Sequence, residues 1–116
     1  MTVYIVNKSA HNFSEAEKFG EIVFLTSGRL NRFNINDMHR QCTEALSESK
    51  EDDYIVPCSL NILNSIACSI FAVKHGKLNL LLFKEGRYKS DKGYKEKDTY
   101  LERNIVFIHD PSGFND

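Results

Sequence analysis

The stretch Asp53–Phe83 constrains this chain more than any other, because it is apolar almost throughout and changes period twice. Tyr54, Ile55 and Val56 read as a short strand. Ile62 to His75 reads as a helix, with Ile62, Leu63, Ile66, Ala67, Ile70 and Phe71 at helical spacing on one face. Leu78 to Phe83 reads as a second strand. A strand buried on both faces is an unbroken apolar run, and strands covered by helices are usually parallel. Tyr54–Val56 and Leu78–Phe83 are therefore expected side by side and parallel, joined by a right-handed crossover. Ser59 or Asn61 is expected to cap the helix start by accepting a free N–H. Lys74 and His75 suit the negative end of the helix dipole, and Gly76 is the expected left-handed terminator.

The rest of the chain repeats the alternation. Thr2–Val6 is a first strand, and Asn7-Lys8-Ser9-Ala10-His11-Asn12 the loop after it. Ser14 with Glu17 matches a capping box opening a short helix that Gly20 ends. Ile22–Thr26 is the second strand. Asn36-Asp37 opens a helix with Ile35, Met38, Cys42, Ala45 and Leu46 as its apolar stripe. The order β-α-β-α-β-α-β predicts an α/β fold: a single three-layer, Rossmann-like domain over 1–116, with a mainly parallel sheet and helices on both faces. Thr2–Val6 is expected beside Tyr54–Val56 at its centre. A core over 2–88, closing on a tight turn at Lys84–Tyr88 with Gly86 at positive φ, is followed by a polar arm over 89–104 and a terminal hairpin or strand over 105–109. The last residues, from Asp110, are expected to be loose.

Composition narrows the classes. A formal net charge of −1 gives no field that would draw the whole molecule to nucleic acid or acidic lipid. No apolar run is long enough to span a bilayer, and no signal peptide is expected at the N-terminus. Cys42, Cys58 and Cys68 have neither paired count nor ligand spacing, so they read as small buried hydrophobes in a reducing cytoplasm, with no metal and no cofactor. Cys58 precedes a helix start, which would lower its pKa if the dipole reached it; burial is the simpler reading.

Ligands of open parallel sheets bind beyond the carboxyl ends of the strands. The residues placed there are Asn7, Lys8, Ser9 and His11 after the first strand, Ser27 and Arg29 after the second, Ser59 and Asn61 after the third, and Arg87 after the fourth. Hydroxyls, amides and cations beside a helix start suit a phosphate-bearing, nucleotide-like ligand. Neither common phosphate-loop motif is present. Ser9 with His11 is the one nucleophile-and-base candidate. Lys84, Arg87, Lys89, Lys92, Lys95 and Lys97, interleaved with Tyr88 and Tyr94, would suit a nucleic-acid or partner contact. Glu85, Asp91, Glu96 and Asp98 cancel most of that charge, so a solvated hairpin is the simpler reading.

The segments IVNKSAHNFSEAEKFG and KHGKLNLLLF followed by EGRY resemble small uncharacterised proteins of tailed bacteriophages and prophages, over roughly Val3 to Tyr88. The resemblance implies a setting and no activity: a phage accessory protein acting in the host-cell cytoplasm on a host component. With the strand-end loops, the leading expectation is a non-enzymatic protein that binds a host protein or a nucleotide-like small molecule and counteracts host defence. A homodimer paired through Ile105–Ile108 is a further expectation. The alternatives are a small enzyme on a nucleotide or phosphodiester, using Ser9, His11 and Arg29, and a nucleic-acid-binding module using the polar arm.

Overall fold

The computed structural model describes residues 1–9, 11–89 and 91–107. Its elements are β1 (Thr2–Ile5), a 3-10 segment (Ser14–Phe19), β2 (Glu21–Phe24), α1 (Ile35–Ala45), β3 (Tyr54–Val56), α2 (Asn61–His75), β4 (Lys77–Lys84), β5 (Tyr88–Lys89), β6 (Tyr94–Lys95) and β7 (Thr99–Val106). Five strands form one mostly parallel sheet in the order β2-β1-β3-β4-β7. The central strand–helix–strand unit folds as expected. β3 and β4 are parallel, with Ile55 opposite Leu80, and β1 lies parallel to β3, with Val3 opposite Tyr54.

Period-two alternation explains how the sheet is covered. Tyr4, Val6, Ile55 and Leu78 point to one face, where they meet Met38, Cys42 and Leu46 of α1 or the α1 end, and Leu63, Ala67 and Phe71 of α2. Val3, Ile5, Val56 and Leu81 point to the other, against Phe13, Ala16 and Tyr100. Both α-helices thus cover the same face. The second face carries a 3-10 segment of six residues, and the expected full set of helices on both faces is not formed. The cause is local. Ser14 is not the N-cap; Phe13 is, without a side-chain hydrogen bond, while Asn12 Oδ1 accepts from the Ser14 N–H at 2.9 Å. Gly20 then ends the segment where a Cβ would collide with the Met1 carbonyl.

The helix ends differ in detail from the expected caps. In α1, Asn34 is the N-cap and its side chain accepts from the Asp37 N–H at 3.3 Å. In α2, neither Ser59 nor Asn61 caps; the N-cap is Leu60, with no side-chain bond. Ser59 takes φ +70°, a left-handed conformation uncommon outside glycine. Asn64 Oδ1 reaches back to accept from the Cys58 N–H at 2.9 Å. Gly76 does end α2 in the left-handed region, its N–H bonded to the Ala72 carbonyl at 2.8 Å. Lys74 Nζ leaves its own helix and donates to the Leu46 and Ser47 carbonyls at 3.0 and 2.6 Å, closing the end of α1.

The largest departure lies after Phe83. Residues 99–104, assigned to a polar arm from sequence, belong to β7, an eight-residue strand antiparallel to β4 from Thr99 opposite Lys84 to Val106 opposite Lys77. Ile105 already pairs with Leu78 of its own chain. β5 and β6 form a separate antiparallel ladder between β4 and β7. Gly86 does not take a positive φ; that conformation belongs to Gly93, between β5 and β6. Gly86 is required for space, because a Cβ there would strike the Glu96 carbonyl. Three of the arm's cations are paired: Lys89 with Glu96 (3.0 Å), Lys95 with Glu85 (3.4 Å), and Lys97 with Glu15 of the 3-10 segment (3.0 Å). Ala10, Ile108, His109 and the terminal tail lie outside the described residues.

Candidate ligand cleft at the strand ends

The chain leaves β1 toward β2, then returns across β1 to reach β3, so the direction of winding reverses between β1 and β3. Diverging connections leave a crevice at such a point. A cleft of about 350 Å³ lies there. The loop after β1 supplies Ser9, His11 and Phe13, and the end of β3 and its loop supply Val56, Pro57, Cys58 and Ser59. Phe83 comes from the end of β4. Tyr100 comes from the start of β7, which runs the opposite way and so brings its first residues to the same rim.

Two buried polar residues hold the frame. Asn7, 3% exposed, donates through Nδ2 to Thr26 Oγ1 (3.0 Å) and the Gly28 carbonyl (3.1 Å). Thr26 Oγ1 in turn donates to the Val6 carbonyl at 2.8 Å, so the ends of β1 and β2 are locked together. The Cys58 thiol donates to the Asn7 carbonyl at 3.4 Å and ties β3 to the same corner. Burial pushes the Cys58 thiol up, against smaller opposing effects of hydrogen bonds to the Asn7 and Val6 backbone. The pKa is raised and not lowered by the helix start, and Cys58 is partly buried where the sequence alone predicts full burial.

Aromatic rings wall the cleft. The His11 ring lies 4.4 Å from Phe83 and 4.9 Å from Phe13, both edge-on, and Phe83 lies 5.5 Å from Tyr100. Such edge-to-face contacts are the favoured geometry of neighbouring rings. Tyr100 is 7% exposed, and its hydroxyl has no hydrogen-bond partner among the described residues. Leaving a buried polar group unpaired costs about 1–3 kcal/mol. Burial, then the nearby Cys58 and Asp98, raise its pKa above the ordinary phenol value, so it holds its proton.

Residues 1–98 match the family described as Phage Pam3 gp32-like protein. The chain belongs to that family. The resemblance to phage proteins read from the sequence is thereby borne out, and the match ends one residue before β7. No curated protein and no solved structure matches the chain.

Of the residues placed at the strand ends from sequence, Ser9, His11 and Ser59 line the cleft of this family member. Asn7 lies beneath it as a strut. Lys8 turns away, its Nζ 5.6 Å over the Phe24 ring, and lines a neighbouring hollow that shares Ser9, His11 and Phe13. Ser27 is exposed and bridges Lys8. Arg29 is exposed and does not line the cleft. Asn61 is exposed on the first turn of α2, where its carbonyl accepts from Ser65 Oγ at 3.0 Å. Arg87 belongs to the β5–β6 insertion, its carbonyl accepting from the Glu96 N–H at 2.8 Å.

Ser9 and His11 meet, but through Oγ and the His11 backbone N–H at 3.3 Å. The imidazole packs on phenyl rings instead. Among the described residues no three His, Cys, Asp or Glu side chains gather as metal ligands, and no helix is long and apolar enough to cross a membrane. Sequence reasoning missed Phe13, Phe83 and Tyr100 as lining residues. Phe83 carried a signal, because it ends the apolar run of β4; Tyr100 carried little, standing between Thr99 and Leu101 in a stretch that is otherwise charged or polar.

Proposed function

We propose that this phage-family protein is an accessory binding protein whose strand-end cleft takes a nucleotide-like small molecule. The observation that carries the reading is the cleft at the winding reversal, walled by Phe13, Phe83 and Tyr100 with the Tyr100 hydroxyl unpaired. About 350 Å³ lies within the range of small-molecule sites, which are mostly apolar with a few convergent polar groups. Binding fits better than turnover, because the Ser9 hydroxyl is met by the His11 backbone N–H and not by its ring, and the Cys58 thiol and Tyr100 phenol are both held protonated. On this reading the protein works in the cytoplasm of an infected host and interferes with host defence by sequestration; membership of a phage family supports that setting.

The test is incubation with a panel of nucleotides, cyclic dinucleotides included, followed by separation of bound from free and chromatography of both. Intact ligand retained near one per chain is the expected result. New products would establish an enzyme, and retention of none would remove the reading.

A host-protein partner is the second reading, favoured by a different surface. His39 and Thr43 of α1 with Ile66, Ile70, Val73 and Lys74 of α2 line an apolar groove of about 560 Å³, in which Val73 is 87% exposed. Replacing Val73 with Lys would abolish capture of such a partner and leave the cleft untouched.

A further inference from the structure

We infer that the cleft recognises the base end of its ligand and not the phosphate: an uncharged, planar heteroaromatic ring packed against the wall of His11, Phe83 and Tyr100, with a ring nitrogen or carbonyl oxygen accepting a hydrogen bond from the Tyr100 hydroxyl. This rests on the reading of the cleft as a nucleotide-like site and says which part of such a molecule is read. Three observations carry it.

The first is charge. No Lys or Arg lines the cleft. The cations placed there from sequence lie elsewhere: Lys8 over Phe24 on the far side of His11 and Phe13, Arg29 exposed and away from the lining, Arg87 in the β5–β6 insertion. A site built to read phosphate would bring at least one of them in. Of the approach to α2 only Ser59 lines the cleft, and Leu60 and Asn61 at the helix start do not.

The second is the wall. Phe13, His11, Phe83 and Tyr100 form a continuous ring-lined wall, each touching the next edge-on, with Val56 and Pro57 also lining the cleft. Base-on-aromatic contact tolerates any base, because every base has a π-face. Discrimination must then come from the polar groups.

The third is the phenol. Tyr100 Oη is buried and has no partner among the described residues. It keeps its proton, since burial raises its pKa. The oxygen is closed to solvent in the free protein, so a ligand that carries an acceptor satisfies it by turning the Tyr100 ring toward the cleft it lines. Tyr100 is thus the specificity-determining residue, with the Ser9 and Ser59 hydroxyls left for further polar edges of the ring.

The experiment measures affinities of adenosine, guanosine, cytidine and uridine, and of their 5′-mono- and triphosphates, for the wild-type chain and for Tyr100→Phe. Tyr100→Phe keeps the ring and its packing, and its melting temperature is measured alongside. The expected result is that triphosphates bind within about threefold of the nucleosides, while Tyr100→Phe weakens the bound ligands about tenfold or more, the loss of one buried hydrogen bond. Triphosphates binding far more tightly than nucleosides would overturn the inference and leave the cleft reading standing. Unchanged affinity in Tyr100→Phe would do the same. If no compound binds the wild-type chain, the cleft reading itself falls and this inference with it.

Discussion

Phe83 and Tyr100 face each other across the β4–β7 ladder, and their rings meet edge-to-face with centroids 5.5 Å apart. The last residue but one of a parallel strand thereby touches the second residue of an antiparallel one. An edge strand becomes part of the rim at which parallel sheets place their ligands. The same pair separates two kinds of contribution. Phe83 is 40% exposed and contributes through its rings' contacts, whereas Tyr100 is buried and carries a hydroxyl that bonds to nothing described.

Opposite responses to substitution follow from that difference. Phe83→Ala loses two edge-on contacts, to His11 and Tyr100, and is expected to cost about 1–2 kcal/mol. Tyr100→Phe removes an unpaired buried hydroxyl, which is expected to leave the ligand-free protein unchanged or stabilised by up to about 1 kcal/mol. Urea denaturation of both variants decides the matter. A clear loss of stability in Tyr100→Phe would mean that its hydroxyl is bonded within the chain.

Asn7 is read differently once its partners are known. It stands in the loop after β1, where a polar residue invites a ligand role, yet its amide is spent on Thr26 and Gly28. Asn7→Ala is expected to destabilise by about 1–3 kcal/mol, because Thr26 Oγ1 and the Gly28 carbonyl each lose a donor at a buried corner. Ser9→Ala, at an exposed residue two positions on, is expected to change stability by less than about 0.5 kcal/mol. The pair of denaturation midpoints checks this, and equal effects would remove the strut role.

These residues show what the sequence carried and what it could not. The apolar run of β3, α2 and β4 was legible because burial on both faces leaves no room for charge, and the parallel pairing of Ile55 with Leu80 follows from it. β7 was not legible. Only Tyr100 of its eight residues is buried, and Glu102, Arg103 and Asn104 read as solvated chain because neither face of the strand is covered there, which removes the apolar alternation that marks a half-buried strand. The helix over Ser14–Phe19 failed for a different reason: the capping box was present, but the bond went to Asn12, and Gly20 stopped the turn. The cleft shared both fates. Its loop residues Ser9, His11 and Ser59 could be placed from strand ends alone, whereas its floor depended on a strand with no sequence signature.

Stability is expected to fall with pH through the histidine range, by way of His75. Its ring packs at a tilt against Phe71, centroids 4.5 Å apart, and shares a hydrogen bond with Ser49 Oγ at 2.8 Å. Burial is the main cause of its lowered pKa, with Lys74 and Lys77 adding to the effect and Asp53 and Glu51 opposing it. The unfolded chain keeps the ordinary value of about 6.5. Above that value both states are neutral at His75 and its contribution is constant. As pH falls below it, the unfolded chain takes up the proton first, so stability declines until the lowered folded value is passed. His75→Gln keeps a donor and acceptor for Ser49 and removes the titration. Urea midpoints from pH 7.5 to 5 should slope in the wild-type chain and flatten across that window in the variant; parallel slopes would assign the dependence to other groups.

The three thiols should separate by reactivity in the folded protein. Cys42 is fully buried and its pKa is pushed up to about 11 by burial, with Cys68 adding to the effect. Cys58 and Cys68 are partly exposed, and burial raises both. Thiolate and access together set alkylation rates. At pH 8, iodoacetamide should therefore label Cys42 only as fast as the chain unfolds, and Cys58 and Cys68 sooner. Cys58 lines the cleft whereas Cys68 borders a separate hollow with Ala72, Leu78 and Phe107. A ligand in the cleft should slow labelling of Cys58 several-fold and leave Cys68 unchanged, as read by peptide mass spectrometry with and without the nucleoside. Equal protection of both thiols would show that the ligand tightens the whole fold, and protection of Cys68 alone would move the binding site to the far side of α2.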